Sequence, residues 1–239
     1  MTEHSPAASP TRTDPASIRA VFSGIASRYD LANHLLSGGL DFYWRSVAAR
    51  TVGAWGPRRV LDLATGSGDL ALAIEKQCPA AEVVGADFCE PMLDRARAKG
   101  LRNTVVADGT ALPFADASFD AVTVAFGLRN MADYPRAISE MARVLHPGGH
   151  LLILDFSLPT RPVLRAPYRF YLHRILPHLA QWVTGDRDAY QYLGGSIEQF
   201  PAGAAMESLI RTNGFATAHT RPLTGGVVSL YTGTKAGLV

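Results

Sequence analysis

The sequence predicts an α/β protein built on an open, mostly parallel sheet with helices on both faces. Three observations carry that expectation. From residue 60 onward, short apolar runs alternate with helical segments, as in a parallel sheet whose strands are buried on both sides. Residues 60–71, Val-Leu-Asp-Leu-Ala-Thr-Gly-Ser-Gly-Asp-Leu-Ala, pass from a strand through a Gly-rich turn into a helix start. The last two strand candidates stand too close in sequence for a parallel crossover, so they pair as an antiparallel hairpin.

The elements follow in order. Residues 1–15 are rich in Pro, Ser, Thr and Ala and lack the apolar core of a signal peptide, so they read as a disordered tail. Residues 16–239 read as one domain. Residues 16–55 are helical by spacing. Ile18, Val21, Phe22 and Ile25 form one stripe, and Leu31, Leu35 and Leu36 follow the break at Arg28-Tyr29-Asp30. Gly38-Gly39 interrupts, and Phe42 to Val52 resumes. Strands are expected at Val60–Leu63, Val83–Ala86, Thr104–Ala107, Ala121–Ala125 and His150–Leu154. Helices are expected at Leu70–Lys76, Pro91–Ala98 and Pro135–Leu145. From Pro159 to about Pro201 the alternation stops, and residues 159–201 read as a helical lid insertion punctuated by Pro159, Pro162, Pro167 and Pro177. A helix at Ala202–Thr212, strands at Gly214–Thr220 and Val227–Thr234, and a turn at Gly225-Gly226 complete the chain.

Composition narrows the function. With 239 residues, 47% of them hydrophobic, the chain can bury one sizeable core. A net charge of +2 gives no strong field, so nucleic acid is not an expected partner. Cys78 and Cys89 have neither metal-ligand nor disulfide spacing and read as reduced structural thiols in a cytoplasmic protein. No apolar run approaches the roughly 18 residues of a membrane span. No zinc motif, catalytic triad or Walker loop is present, and no metal is expected.

The Gly-rich turn places backbone N–H groups and a helix N-terminus beside a ligand, as a nucleotide-type cofactor requires. Gly66-x-Gly68-x-x-Ala71, with Asp87 about 20 residues on, fits the loose dinucleotide fingerprint, which nicotinamide and S-adenosylmethionine enzymes share. Four details favour S-adenosylmethionine. Asp62 lies inside the first strand, within reach of the loop backbone or an amino group. Ser67 sits between the glycines, where it suits a carboxylate or ammonium better than a pyrophosphate. A second acidic site follows the third strand at Asp108-Gly109. A helix, a Pro-Gly-Gly turn at 147–149 and a strand recur at that place in class I methyltransferases. A carboxylate at Asp87 can accept from both ribose hydroxyls, and Asp108 from the adenine amino group, with Gly109 admitting the backbone.

With these segments in view, the chain resembles the ubiquinone/menaquinone biosynthesis C-methyltransferases over most of residues 18–235. Tyr29-Asp-Leu-Ala-Asn33-His-Leu-Leu-Ser37-Gly-Gly-Leu-Asp-Phe-Tyr-Trp44 follows that family's first signature. Arg143-Val-Leu-His-Pro-Gly-Gly-His-Leu-Leu-Ile-Leu-Asp155-Phe-Ser157 follows the second. Phe126-Gly-Leu-Arg-Asn130 and Gly226-Val-Val-x-Leu230 look like further family segments. The chain departs from the patterns at Ala32 (for Met), Asp41 (for His), His146 (for Lys), Asp155 (for Glu) and Ala125, where a cofactor-contacting Ser is usual. The resemblance implies a class I, Rossmann-like methyltransferase fold with seven strands. It carries the S-adenosylmethionine contacts onto Ser67, Asp87, Asp108 and Gly109, beside Asp62, Gly66 and Gly68 of the loop; Ala125 offers only backbone or van der Waals contact.

The implied reaction is methyl transfer to a ring carbon of a polyprenylated quinol, demethylmenaquinol first and the ubiquinone-pathway benzoquinol second. Such a carbon attacks once the neighbouring hydroxyl is deprotonated, so the protein must remove a proton, stabilise a phenolate and align the partners. Arg129, just past the fourth strand, is the expected phenolate stabiliser, because a guanidinium is too weak an acid to serve as a base near neutrality. Asn130 would orient the ring oxygen, and Tyr29 would hydrogen-bond the quinol or close over the methyl donor. His34 has the right intrinsic pKa for a base but reads more simply as a helix-surface residue; the plain alternative for Arg129 is an ion pair with Asp133 or another surface acid. In the lid, Arg161, Arg165, Arg169 and Arg174 accompany a stripe of Tyr168, Tyr171, Leu172, Ile175, Leu179 and Trp182. A basic amphipathic segment of this kind suits peripheral contact with the inner face of the cytoplasmic membrane, the competing expectation being a helix packed on the protein's own core. Two other functions stay open: a class I methyltransferase for another lipid or small phenol, and an NAD-dependent oxidoreductase.

Overall fold

The computed structural model describes residues 37–159, 161–176 and 195–237. The expected tail, the helical segments before residue 37, Tyr29, His34, Leu179 and Trp182 lie outside the described residues.

The elements run α1 (Leu40–Trp55), β1 (Arg59–Leu63), α2 (Asp69–Gln77), β2 (Glu82–Asp87), α3 (Glu90–Ala98), β3 (Asn103–Val106), β4 (Phe119–Ala125), α4 (Tyr134–Val144), β5 (Leu145–Phe156), α5 (Pro162–Phe170), α6 (Ala204–Thr212), β6 (Phe215–Leu223) and β7 (Val228–Lys235). The seven strands form one sheet in the order β3-β2-β1-β4-β5-β7-β6. β1 to β5 are parallel, and β7 runs antiparallel to both β5 and β6. Strand order reverses between β1 and β4, so a crevice opens at their carboxyl ends.

The side-chain period of two divides each central strand between two cores. Leu61, Leu63, Leu151 and Ile153 enter one, with Ile138 and Met141 of α4 and Met206 and Ile210 of α6. Val60, Leu152 and Leu154 enter the other, with Val47 and Val52 of α1 and Leu70 and Ile74 of α2. All of these lie within 5% of full burial, and each such Leu, Ile or Met contributes about 1.5–3 kcal/mol. Asp133 starts α4 by accepting from the Arg136 N–H at 2.9 Å, with Pro135 in the first turn, where its missing N–H costs nothing.

Strand boundaries depart from the sequence reading most in β5, and next in β6, which runs to Leu223 rather than Thr220. β5 begins at Leu145 rather than His150, because Leu145 pairs with Phe119 across a bulge before pairing resumes at His150 and Ala121. His146 to Gly149 loop out between those pairs. Gly149 is obligatory there, since a Cβ would stand 2.8 Å from the His146 carbonyl oxygen and 3.1 Å from that of Asp120. The Pro-Gly-Gly turn therefore shapes the edge of the sheet opposite the carboxyl-end crevice.

Candidate active site

The Gly-rich loop after β1 is held from three sides. The Thr65 N–H donates to the Ala86 carbonyl oxygen at 3.0 Å, which ties the loop to the neighbouring strand. Ala64, Gly66 and Gly68 have φ of 51°, 56° and 85°. At Gly68 a Cβ would lie 3.0 Å from the Ala96 Cβ, so only glycine allows α3 to pack this closely. Beneath the loop, Asp62 is almost fully buried and accepts hydroxyl hydrogen bonds from Thr65 at 2.7 Å and Thr123 at 2.6 Å. Burial pushes its carboxyl up to about 6 against the opposing pull of those bonds. Asp62 thus fastens the loop to β4.

Asp87 stands at the carboxyl end of β2. Its Oδ2 accepts from the Gly66 N–H at 2.8 Å and its Oδ1 from the Cys89 N–H at 2.9 Å. Burial raises its carboxyl above the ordinary range, and the backbone donors oppose this. Its remaining lone pairs point the acceptor capacity of a carboxylate at whatever lies against the loop. The Ala107 N–H donates to the Asp87 carbonyl oxygen at 3.0 Å, which brings the end of β3 alongside. There Asp108 is exposed and accepts from the Thr110 N–H and hydroxyl, both at 2.8 Å. Gly109 is buried, and a Cβ would meet the Met131 sulfur at 2.9 Å. Ser67 is buried beside the glycines, where its Oγ accepts from Lys99 Nζ at 2.9 Å, and the same ammonium donates to Asp69 at 2.7 Å. That link from the end of α3 to the start of α2 carries no sequence signal, because 32 residues separate the partners.

The ends of β4 and β5 complete the crevice. The backbone turns sharply after Ala125, with Phe126 at a φ of 58°, and the next residue touches the first loop: a Cβ on Gly127 would lie 2.5 Å from the Ala64 Cβ. Left-handed backbone at Ala64 and Phe126, each costing about 1–2 kcal/mol, is local strain of the kind that gathers at functional sites. Phe126, Phe156 and Trp44 form an aromatic cluster with ring centroids 4.8–6.1 Å apart. Trp44 Nε1 donates to the Thr224 hydroxyl at 2.7 Å, pinning α1 to the turn between β6 and β7. The Arg45 guanidinium lies 5.4 Å from the Phe126 ring centroid and pairs with Asp41.

Arg129 and Asn130 occupy the helical turn after β4, as the sequence places them. Arg129 pairs with Asp155 rather than Asp133, Nη1 donating to Oδ1 at 2.6 Å, and the side chains retain only 6% and 1% of their exposure. Nη1 also donates to the Phe126 carbonyl oxygen at 2.8 Å, and the guanidinium lies 5.3 Å from the Phe156 ring centroid. Asn130 Nδ2 stands 3.5 Å from the same carbonyl oxygen. Burial raises the Asp155 carboxyl above the ordinary range, partly offset by Arg129. Asp155 entered the sequence reading only as a departure from Glu; nothing there showed that β5 would place it opposite Arg129.

The structure divides the expected amphipathic stripe of the lid. Leu172 is buried with Leu176 and Ile197, and Tyr168 and Tyr171 pack against them. Burial raises the Tyr168 phenol well above its ordinary range, an effect the nearby Arg129 charge opposes. These residues face the protein; of the expected stripe, Ile175 stays exposed, and Val163, Leu164 and Phe170 join it at the surface.

The donor set fits a cofactor with two adjacent hydroxyls, an amino-bearing ring and a cationic centre. Two carboxylates stand at the ends of β2 and β3, and tightly turned backbone leads into the N-terminus of α2. Comparison with known proteins agrees. Among solved structures, the SAM-dependent methyltransferase, possible histamine N-methyltransferase, of Thermotoga maritima superposes with a TM-score of 0.64, covering 91% of this chain and 99% of its own; at 17% identity it shows the fold alone. The demethylmenaquinone methyltransferase of Thermus thermophilus is 47% identical over 220 residues, covering 90% of this chain and all of that protein. The ubiquinone/menaquinone biosynthesis C-methyltransferase UbiE of Dinoroseobacter shibae is 43% identical, covering 91% and 90%. The profile of the ubiE/COQ5 methyltransferase family matches residues 11–235, and the chain belongs to that family.

Proposed function

We propose that the protein methylates a ring carbon of a polyprenylated quinol, with demethylmenaquinol its first substrate and the ubiquinone-pathway benzoquinol its second. As a member of its family it uses S-adenosylmethionine, which supplies an electrophilic methyl group when bound. The names of the most similar relatives support the acceptor class. The observation that carries the chemistry is a buried guanidinium, Arg129, at the end of β4 beside the strained turn that meets the Gly-rich loop.

In this reading the residues divide the work. Gly66, Gly68 and the start of α2 receive the amino-acid end of the cofactor, with Asp62 and Ser67 fixing the loop around it. Asp87 accepts from the ribose hydroxyls and Asp108 from the adenine amino group, Gly109 leaving room for the ring. Ala125 borders the methyl group through its backbone. Arg129 holds the negative charge that gathers on the ring oxygen as its neighbouring carbon attacks, and Asn130 orients that oxygen. Fixed charge in a dry site stabilises such a transition state more than water can. Tyr29, outside the described residues, keeps the role the resemblance implies. The quinone profile of cells lacking the protein tests the whole reading. A desmethyl quinone should accumulate, and an unchanged profile would reject it.

The acceptor carries an isoprenoid tail, so we place the protein at the cytoplasmic membrane surface, docked through the outer face of α5. Among the described residues no helix is long and apolar enough to cross a membrane. Val163 is 83% and Phe170 61% exposed, seven residues apart on one helix face. Arg161, Arg165 and Arg174 are exposed nearby and form no ion pair among the described residues, whereas Arg169 pairs with Glu198. Insertion of apolar side chains with arginines at the headgroups fits this pattern. Phe170→Asp should cut cosedimentation with vesicles containing anionic lipid by about tenfold and leave thermal stability nearly unchanged, because the side chain is mostly exposed and belongs to none of the core clusters. Equal binding of the two proteins would remove α5 from the docking surface.

A further inference from the structure

The Arg129–Asp155 pair is made end-on. One nitrogen and one oxygen meet, and two buried atoms, Arg129 Nε and Asp155 Oδ2, have no hydrogen-bond partner among the described residues. A guanidinium and a carboxylate can pair in a two-pronged geometry that engages both groups more fully, and this pair does not use it. Here Nη1 is engaged by both Asp155 and the Phe126 carbonyl oxygen, the ring of Phe156 backs the guanidinium, and Nη2 holds no hydrogen bond among the described residues. The carboxylate itself is fixed, because it projects from β5 and its Oδ1 also accepts from the Phe156 N–H at 2.8 Å.

We propose that Asp155 is a positioning residue for methyl transfer. It anchors Nη1 of Arg129 so that the free edge of the guanidinium is presented where a ring oxygen gains negative charge. The proposal rests on the reading of Arg129 as the phenolate stabiliser. The charged or titratable groups around Asp155 are Arg129 from the turn after β4 and Tyr231 from β7, with Tyr168 of α5 felt through Arg129. Both tyrosines have raised phenol values, so neither ionises near neutrality. Protonation of Asp155 would release Nη1, and burial sets that event above the ordinary carboxylate range. Turnover at saturating cofactor therefore falls as pH drops through that raised value; Asp62 and Asp87 in the cofactor half are raised as well, so the share that belongs to Asp155 is the part that Asp155→Asn removes.

The test measures turnover, the Kd for S-adenosylhomocysteine and thermal stability across pH for the full chain and three variants. Asp155→Asn should lower kcat by about 100-fold, the size of losing one aligned charge donor, and remove the acid limb of kcat. Its Kd should stay within threefold. Asp155→Glu, which restores the residue of the family pattern, should recover most of kcat. Arg129→Lys should lose kcat. If Asp155→Asn turns over like the unaltered protein while Arg129→Lys is impaired, the proposal fails and the reading of Arg129 stands. If both are active, the reading of Arg129 fails as well. If Asp155→Asn does not fold, the unaltered protein decides. An acid limb in kcat measured at saturating cofactor supports the proposal, and a kcat flat with pH under that condition overturns it.

Discussion

At the ends of β1 and β2 every carboxylate oxygen of Asp62 and Asp87 is engaged by the protein itself; at the ends of β4 and β5 the charged pair leaves atoms unengaged. Asp87 carries the N–H groups of Gly66 and Cys89, and Asp62 carries two threonine hydroxyls, so no carboxylate oxygen in that half lacks a partner. In the other half, the Arg129 guanidinium and the Asp155 carboxylate meet through one nitrogen and one oxygen and leave two buried atoms without a hydrogen bond among the described residues. The first half is a rigid mould, completed before any ligand arrives. The second is a charged device kept incompletely satisfied, and incomplete satisfaction in a dry site is costly unless a third group uses it. Binding and chemistry are thus assigned to different strands of one sheet.

Substitution of one half should leave the other intact. Arg129→Ala should lower kcat by about 10³-fold with the Kd for S-adenosylhomocysteine within threefold, read by steady-state kinetics and calorimetry. A parallel loss of affinity would merge the two halves. Asp62 gives the next largest effect, on stability. Its folded carboxyl titrates at about 6, above the unfolded value of 3.8, so between those values the folded state holds a proton that the unfolded chain has released. Stability falls as pH rises through that window, by about 3 kcal/mol, and levels off above it. Asp62→Asn should flatten this slope in urea denaturation series, and an unchanged slope would show that Asp62 does not titrate there. Asp87→Ala should weaken S-adenosylhomocysteine about 100-fold, the worth of one to two charge-assisted hydrogen bonds, with a much smaller change in kcat at saturating cofactor. The smallest effect is expected at Gly68, where alanine meets both left-handed backbone and Ala96. It should lower stability by about 2 kcal/mol. A thermal midpoint equal to that of the unaltered protein would show that α3 can retreat.

The mould was far more legible in the sequence than the charged device. Gly66, Gly68 and Asp87 obey local rules: positive φ wants glycine, and a carboxylate two residues before an N–H can accept from it. The central strands β1, β2, β4 and β5 are legible as largely apolar runs because both of their faces are buried, whereas β3 and β6, at the sheet edges, are largely exposed. The Arg129–Asp155 pair spans 26 residues and the Trp44–Thr224 bond spans 180. Neither has a spacing rule, because each exists only once the sheet has set which strand ends are neighbours. The lid misled for a related reason. Helical spacing shows that Tyr168, Leu172 and Ile175 share a side, but not how far that side reaches round the helix, and a π turn at Tyr171–Ile175 shifts the register between them. Leu172 went inward and Ile175 outward.

The order of strands has a consequence for how the chain is made. β7 lies between β5 and β6, although both are synthesised before it. Until Val228–Lys235 arrives, β5 offers an open hydrogen-bonding edge and β6 has nothing to pair with. The nascent chain therefore passes through a stage with one adhesive border, which neighbouring chains or a chaperone can occupy. Closure of the sheet is a late insertion between two waiting strands, and it also delivers Thr224 to Trp44 at the other end of the sequence.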